Sequence, residues 1–340
     1  MSISANLDLL PRIPLAHTPT PIERLNNLSG ALGGGALYVK RDDCTGLAMG
    51  GNKARQLEYY FGEALQQHAD TILITGAVQS NFVRMAAAAA AKLGLDCHIQ
   101  LEERIGDTGA AYRQSGNVLL DRLLGATLHT YPEGEDEDGA DTNLNRIADQ
   151  LRAEGRQPYI IPLAPGHPPL GALGYVRAVS ELLGQLESLE DEISHIFVAS
   201  GSGSTHAGLL FGLRSHNWLK PVIGVCVRRD RTSQQQRIKQ RCEEIAALLK
   251  LENPVKPEDI EITDETFQPG YGKLNEQTLE AINLCAQREG LLLDPVYTGK
   301  SMAACLNHVR TSREDQSTLF VHTGGTPGLF GYGKELNLAD

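Results

Sequence analysis

The sequence predicts an α/β protein built on two mainly parallel sheets. Short apolar runs of about five residues recur along the chain, and stretches of helical periodicity separate them. The alternation falls into two blocks, one ending near Ile161 and the next beginning near Gly171. Strands joined through helices run parallel, with right-handed crossovers. A length of 340 residues suits two domains or one large α/β unit.

Residues 1–35 carry Pro11, Pro14 and Thr18-Pro19-Thr20-Pro21. Each proline pushes the residue before it towards extended geometry, so this lead-in is expected to wrap a surface. Gly33-Gly34-Gly35 then releases a strand at 36–40. The first block reads as helix 54–67, strand 71–75, helix 83–93, strand 97–101, helix 110–124, strand 126–131, helix 142–154 and strand 159–161. Its six alanines, Ala86–Ala91, favour helix and permit close packing. The acidic run Glu133-Gly134-Glu135-Asp136-Glu137-Asp138 is expected to be a solvated loop. The second block reads as helix 171–186, strand 195–199, a glycine-rich turn, helix 205–215, strand 222–227, helices 232–250, 275–288 and 300–311, and strand 318–321. The chain shows no internal repeat and no low-complexity tract.

Composition excludes several classes of function. A net charge of −11 argues against nucleic acid as a partner, because phosphate binding wants a basic face. No apolar run approaches the ~20 residues that span a bilayer, so no membrane role is expected. The opening Met1-Ser2-Ile3-Ser4-Ala5-Asn6 lacks the basic and apolar regions of a secretory signal, and a cytoplasmic location is expected. The six cysteines are scattered with no Cys-x-x-Cys, and read as reduced residues rather than a disulfide frame or zinc site. No His/Asp/Glu cluster has metal-ligand spacing, so no metal is expected.

Four stretches carry chemistry. In Gly50-Gly51-Asn52-Lys53, paired glycines admit a flat ligand, and the lysine opens a helix where the dipole disfavours its ammonium form. Such a lysine is a candidate amine nucleophile for a carbonyl, or simply a surface lysine at a helix start. The turn Ser200-Gly201-Ser202-Gly203-Ser204-Thr205 lies between strand and helix and offers free N–H groups and hydroxyls to one phosphate. A dinucleotide fingerprint would need glycine where His206 stands, and the turn has no P-loop lysine. Gly299-Lys300-Ser301 also fails as a P-loop, because Asp294 stands where its leading glycine belongs. Gln79-Ser80-Asn81-Phe82 opens a helix, where Ser80 and Asn81 suit a carboxylate, a helix cap, or both. Near the C-terminus, Tyr297 is placed to lie against a ring or donate a proton, and Thr323 to bond a ring nitrogen. His206 and His322 read as structural.

A Schiff-base lysine, one phosphate cradle, a carboxylate pocket and a hydroxyl for a ring nitrogen together describe pyridoxal 5'-phosphate. From about Pro11 to Tyr332 the chain resembles the fold type II, tryptophan-synthase-β-like enzymes that use it. More narrowly, it resembles the D-cysteine desulfhydrase / 1-aminocyclopropane-1-carboxylate deaminase family. The resemblance rests on Lys40-Arg41-Asp42-Asp43, Gly50-Gly51-Asn52-Lys53, Gln79-Ser80-Asn81, Gly201-Ser202-Gly203-Ser204-Thr205, Pro269-Gly270-Tyr271-Gly272, Asp294-Pro295-Val296-Tyr297-Thr298-Gly299-Lys300 and His322-Thr323-Gly324-Gly325.

The resemblance implies two three-layer α/β/α domains: residues 1–53 with 165–340 as a larger cofactor-binding domain, and 54–164 as a smaller substrate-side domain. It also implies a homodimer. Lys53 would hold the cofactor as an imine and act as the base at Cα. Asn81 would bond the ring oxygen O3′, Gly201, Ser202, Gly203, Ser204 and Thr205 the phosphate, and Thr323 would face the ring nitrogen. Gln79 and Ser80 would take the substrate carboxylate, with Tyr271 and Tyr297 on the substrate side. Ser80 and Tyr297 join Lys53 as candidate catalytic groups. A neutral hydroxyl at the ring nitrogen withdraws fewer electrons than a protonated ring, which favours prompt β-elimination over transamination.

Three departures from the family pattern bear on the reading. Ring-opening members carry Tyr-Glu-Gly where this chain has Tyr297-Thr298-Gly299, which argues for elimination instead. Members often read Ser-Asn-His, whereas this chain has Phe82, which neither donates nor accepts a proton. The loop Ala164-Pro165-Gly166-His167-Pro168-Pro169 also reads as stiffer than its glycine/serine-rich counterparts. The expected activity is D-cysteine desulfhydration, with L-cysteate sulfo-lyase as the alternative. Cyclopropane deaminase, amino-acid racemase and a non-catalytic cofactor binder rank below these.

Overall fold

The computed structural model describes residues 3–106, 108–163 and 166–336. The lead-in holds α1 (Ile3–Asp8), β1 (Ile22–Arg24) and α2 (Asn26–Leu32), followed by β2 (Leu37–Lys40). Next come α3 (Lys53–Gln66), β3 (Thr71–Ala77), α4 (Asn81–Leu93), β4 (Asp96–Glu102), α5 (Ala110–Gln114), α6 (Gly116–Leu123), β5 (Thr127–Tyr131), α7 (Glu137–Ala153) and β6 (Pro158–Ile161). The second block contains α8 (Leu170–Leu186), β7 (Ile193–Ser200), α9 (Ser204–Ser215), β8 (Val222–Cys226), α10 (Arg231–Leu249) and β9 (Glu261–Thr263). It ends with α11 (Glu276–Glu289), α12 (Thr298–Thr311) and β10 (Ser317–Val321).

The strands form two sheets, of order β1-β2-β10-β7-β8-β9 and β5-β4-β3-β6. Every pairing is parallel except β1 with β2. β2, β3 and β10 are buried along their whole length, as befits strands covered on both faces. Ala86, Ala87, Ala89 and Ala90 are fully buried, so the alanine run does let α4 pack closely.

Three local expectations need correction. The helix expected over 110–124 breaks at Ser115–Gly116, where Gly116 has φ +58 and an added Cβ would lie 2.6 Å from both Gln79 Oε1 and the Pro327 carbonyl. The acidic run is not all solvated loop. Asp136 caps α7 by accepting from Gly139 N at 2.9 Å, and Glu137 gathers Arg228, Arg229 and Arg237. Burial opposes the Glu137 charge, but these arginines hold its carboxyl below the usual range. The lead-in is more ordered than a wrap, since β1 extends the larger sheet. Of the proline loop, Ala164 and Pro165 lie outside the described residues.

A buried ionic cluster braces the segment ahead of Lys53. Arg55 donates to Asp42 at 3.0 Å and to Glu181 at 3.0 Å, and Lys40 Nζ reaches Glu181 at 2.5 Å. This ties the end of β2 to α3 and α8, and gives the Lys40-Arg41-Asp42-Asp43 motif its structural role. Among the described residues no helix is long and apolar enough to cross a membrane, and the cysteines are free.

Candidate active site

Strand ends from both sheets meet at one cavity. Gly76 and Ala77 end β3, Arg104 follows β4, Gly201 follows β7, Arg228 follows β8, and Thr323 follows β10. In open parallel sheets, ligands bind off the carboxyl ends of the strands, which is where every one of these residues stands.

The glycines before Lys53 are required by the backbone. Gly50 has φ +68, and a Cβ there would lie 1.8 Å from the Asp43 carbonyl oxygen. Thr45 Oγ1 pins the loop, bonding both the N–H and the carbonyl of Gly51 at 2.8 Å. Lys53 then begins α3 and borders the cavity. Among the described residues its amine meets only Gln56 Oε1 at 3.4 Å and the Phe82 ring, whose centroid is 5.4 Å away. Among the described residues no carboxylate pairs with it, and burial lowers its pKa to about 8. Much of the amine is therefore neutral near pH 8 and competent as a nucleophile.

The glycine-rich turn is joined directly to this loop. Thr205 Oγ1 accepts from Asn52 Nδ2 at 2.8 Å and from Gln56 Nε2 at 2.7 Å. With both acceptor positions used, its own proton is left to donate. Gly203 has φ +93, and Arg237 Nε holds the Ser202 carbonyl at 3.0 Å. Gly201, Ser202, Gly203 and Thr205 border the cavity, whereas Ser204, the first residue of α9, does not. A hydroxyl with a spare proton beside glycines at a helix start suits an anionic phosphate, so these residues fit pyridoxal phosphate.

Ser80 Oγ caps α4, accepting from Phe82 N at 3.2 Å and Val83 N at 3.5 Å, and borders the cavity. Asn81 borders it too, its Oδ1 held by Asn117 Nδ2 at 3.1 Å. Gln79 departs from expectation. Its side chain is buried and turned away, donating to the Tyr112 and Ser115 carbonyls and accepting from Asn117 N at 2.9 Å. The amide is thus spent bracing the α5–α6 break, and has no place among the cavity groups.

Tyr271 and Tyr297 both border the cavity, their hydroxyls 2.7 Å apart. Burial pushes Tyr297 well above the usual tyrosine range, so it keeps its proton. Thr323 borders the cavity, and its hydroxyl has no hydrogen-bond partner among the described residues. His206 and His322 are structural, as expected. His206 is fully buried beside Ser200 Oγ, and burial lowers its pKa to about 4. His322 accepts from Gly324 N.

Two charged cavity residues escaped the sequence reading, Arg104 and Arg228. Arg104 Nε donates to Glu102 at 2.9 Å, with its guanidinium 5.7 Å from the Tyr271 ring centroid. Arg228 pairs with Glu137 at 2.6 Å, and its buried Nε has no partner among the described residues. The available signal was positional: each follows the carboxyl end of a predicted strand.

Comparison with known proteins places the chain in a family. The chain is similar to the D-cysteine desulfhydrases of Salmonella paratyphi B and Salmonella typhi, each 43% identical over 329 residues that cover 96% of this chain and 98% of theirs. A crystal structure of an ACC deaminase homologue superposes with a TM-score of 0.87 at 39% identity, covering 98% of both chains. O-ureido-L-serine synthase, at 17% identity and a TM-score of 0.66 over 96% of this chain and 94% of its own, shares the fold. The model of the family described as "Pyridoxal-phosphate dependent enzyme" matches residues 13–324, and this chain belongs to that family.

Proposed function

We propose that the protein is an α,β-elimination lyase that converts D-cysteine and water to pyruvate, sulfide and ammonia. The observation that carries this reading is the opening of the Lys53 amine, which no carboxylate pairs among the described residues, onto the same cavity as the Gly201–Thr205 turn and the Tyr271–Tyr297 hydroxyl pair. The 43% identity to enzymes named D-cysteine desulfhydrase supports the choice of substrate.

Held at Lys53, pyridoxal phosphate would supply a carbonyl for the substrate amine and a ring able to accept electrons from the Cα–H bond. Thr205 and the turn at 201–203 would hold its phosphate, the Asn81 amide would donate to its phenolic oxygen, and Thr323 would face its ring nitrogen. Ser80 and the start of α4 receive the substrate carboxylate. The Lys53 amine would take the proton from Cα. The Tyr271–Tyr297 pair holds a proton that Tyr297 delivers to the departing sulfur.

Thr298 counts against ring opening of a cyclopropane substrate. It is fully buried, its hydroxyl is bonded to Asp294 at 2.7 Å, and it does not border the cavity. A second reading, L-cysteate to pyruvate, sulfite and ammonia, is favoured by Arg104 and Arg228, which give the cavity a cationic wall suited to a sulfonate.

We take residues 1–53 with 165–340 as the larger, cofactor-binding domain and 54–164 as the smaller one. The larger sheet draws its strands from 22–40 and 193–321, and the smaller from 71–161. Residues 164 and 165, at the boundary, lie outside the described residues. A cytoplasmic location, in keeping with five buried, unpaired cysteines, and the homodimer that the family resemblance implies complete the proposal.

The test is a panel of D- and L-amino acids assayed for keto acid, sulfide and sulfite with the cofactor-loaded protein. Equimolar pyruvate and sulfide from D-cysteine support the reading, and pyruvate with sulfite from L-cysteate alone selects the second. If no member of the panel yields keto acid while the cofactor is bound, the lyase assignment falls.

A further inference from the structure

One guanidinium lies behind the two cofactor-facing groups. Arg84, on α4, is completely buried. Its Nη2 donates to the Gly50 carbonyl at 3.0 Å, in the loop that carries Lys53. Its Nη1 donates to Asn117 Oδ1 at 3.2 Å and, at 3.4 Å, to Asn81 Oδ1.

These contacts fix the direction of two amides. A guanidinium only donates, so the oxygen end of Asn117 must face Arg84. Asn117 Nδ2 is then directed at the Gln79 carbonyl and at Asn81 Oδ1, both at 3.1 Å. Two donors therefore converge on Asn81 Oδ1, and the Asn81 NH2 is the end left to the cavity.

This use of a buried cation is unusual. Asp121, on α6, is the acidic group that acts on it, yet neither of its oxygens nor Arg84 Nε has a hydrogen-bond partner among the described residues. Burial pushes the Asp121 carboxyl up, and the Arg84 charge only partly offsets this. Buried charges are ordinarily paired with a hydrogen-bonded counter-charge. This cation spends its donors on the Lys53 loop and on the two asparagines.

We propose that Arg84 is a positioning residue for the cofactor. It turns the Asn81 amide so that its N–H donors face the cavity, and its charge polarises that amide, strengthening the bond to the phenolic oxygen of bound pyridoxal phosphate. The inference rests on the reading of Asn81 given above. A stronger donor there favours the form in which the phenolic oxygen carries its full charge without help from the protonated nitrogen at Lys53. Arg84 thereby lowers the pH at which the bound cofactor's visible band changes. The other charged or titratable groups at the cavity, Arg104, Arg228, Tyr271 and Tyr297, make no hydrogen bond to Arg84, Asn81 or Asn117.

The test is the pH midpoint of that band in the holoenzyme. Arg84→Met is expected to raise it by about one unit, a tenfold change in the equilibrium. Asn81→Ala should raise it in the same direction, and the double variant should add little to Asn81→Ala alone. If Arg84→Met does not fold, Asn117→Ala provides the measurement, since it removes the bond orienting Asn81 while leaving the cation in place. It too should raise the midpoint. A midpoint moved by Asn81→Ala but by neither Arg84→Met nor Asn117→Ala overturns the inference. A midpoint unmoved by Asn81→Ala overturns it together with the reading of Asn81, and leaves the lyase assignment to its own assay.

Discussion

The Thr205 hydroxyl accepts a hydrogen bond from Asn52 Nδ2 at 2.8 Å, so the residue before Lys53 is tied to the proposed phosphate cradle. The amine and the anion site are thus held in fixed relation across two elements 153 residues apart in sequence.

That bond predicts a cofactor-affinity defect. Asn52→Ala removes one of the two donors on Thr205 and loosens the aim of its proton. Hydrogen bonds to charged groups contribute about 1.5–3 kcal/mol, so the dissociation constant for pyridoxal phosphate should rise about tenfold or more. Fluorescence titration of the apoprotein checks it, and an unchanged constant refutes the link.

Lys53 predicts a pH dependence for cofactor capture. The neutral amine is the nucleophile, and burial lowers its pKa to about 8. Capture of pyridoxal phosphate by the apoprotein should accelerate about tenfold per pH unit below 8 and level off above it. Stopped-flow absorbance at a series of pH values gives the profile. Lys53→Ala should lose both the visible band and pyruvate formation, while phosphate-anchored binding persists.

The tyrosine pair predicts a kinetic split. If Tyr297 delivers the proton to sulfur, Tyr297→Phe should lower kcat by about 10²–10⁴-fold, the usual range for a general acid. Tyr271→Phe, which leaves Tyr297 its proton but removes its partner at 2.7 Å, should cost less. Steady-state assays with D-cysteine distinguish the two. Equal and small effects would remove the pair from the chemistry.

The ionic cluster ahead of Lys53 predicts acid sensitivity. Burial opposes the charge of Asp42, but Arg55, Tyr175 and Thr20 hold its carboxyl below the usual range. Its folded pKa is thus below its unfolded value, so its stability contribution is full above about pH 4 and is lost as pH falls further. Arg55→Met leaves Asp42 and Glu181 buried without that partner and should destabilise by about 3–5 kcal/mol at pH 7. Urea unfolding at pH 7 and at a series of values below pH 4 measures both, and a variant as stable as the parent would refute it.

Much of the fold was legible because periodicity is a local property. Helices such as α3 and α8, and strands such as β3 and β7, fall within a few residues of the sequence expectation, since each buries a continuous or amphipathic apolar face. What was missed depends on distant partners. β9 is three residues long and exists because β8 offers it an edge. The break at Gly116 reflects Gln79 and Pro327 crowding its backbone. At the site, Lys53, Ser80, Asn81, Tyr271, Tyr297, Thr323 and most of the glycine turn reach one cavity, whereas Gln79 turns inward because the α5–α6 break takes its amide.

By itself the sequence determined the alternation of strands and helices, the glycines that admit a ligand, and the residue types a phosphate-bearing aldehyde needs. Those follow from neighbours within a few positions along the chain. Only the tertiary structure decided that Arg104 and Arg228 face the same space as Lys53, that Thr205 is joined to Asn52, and that Arg84 lies behind both the lysine loop and Asn81. Those contacts join residues tens to hundreds of positions apart. No local pattern encodes them, because they arise when two separately formed sheets bring their strand ends together.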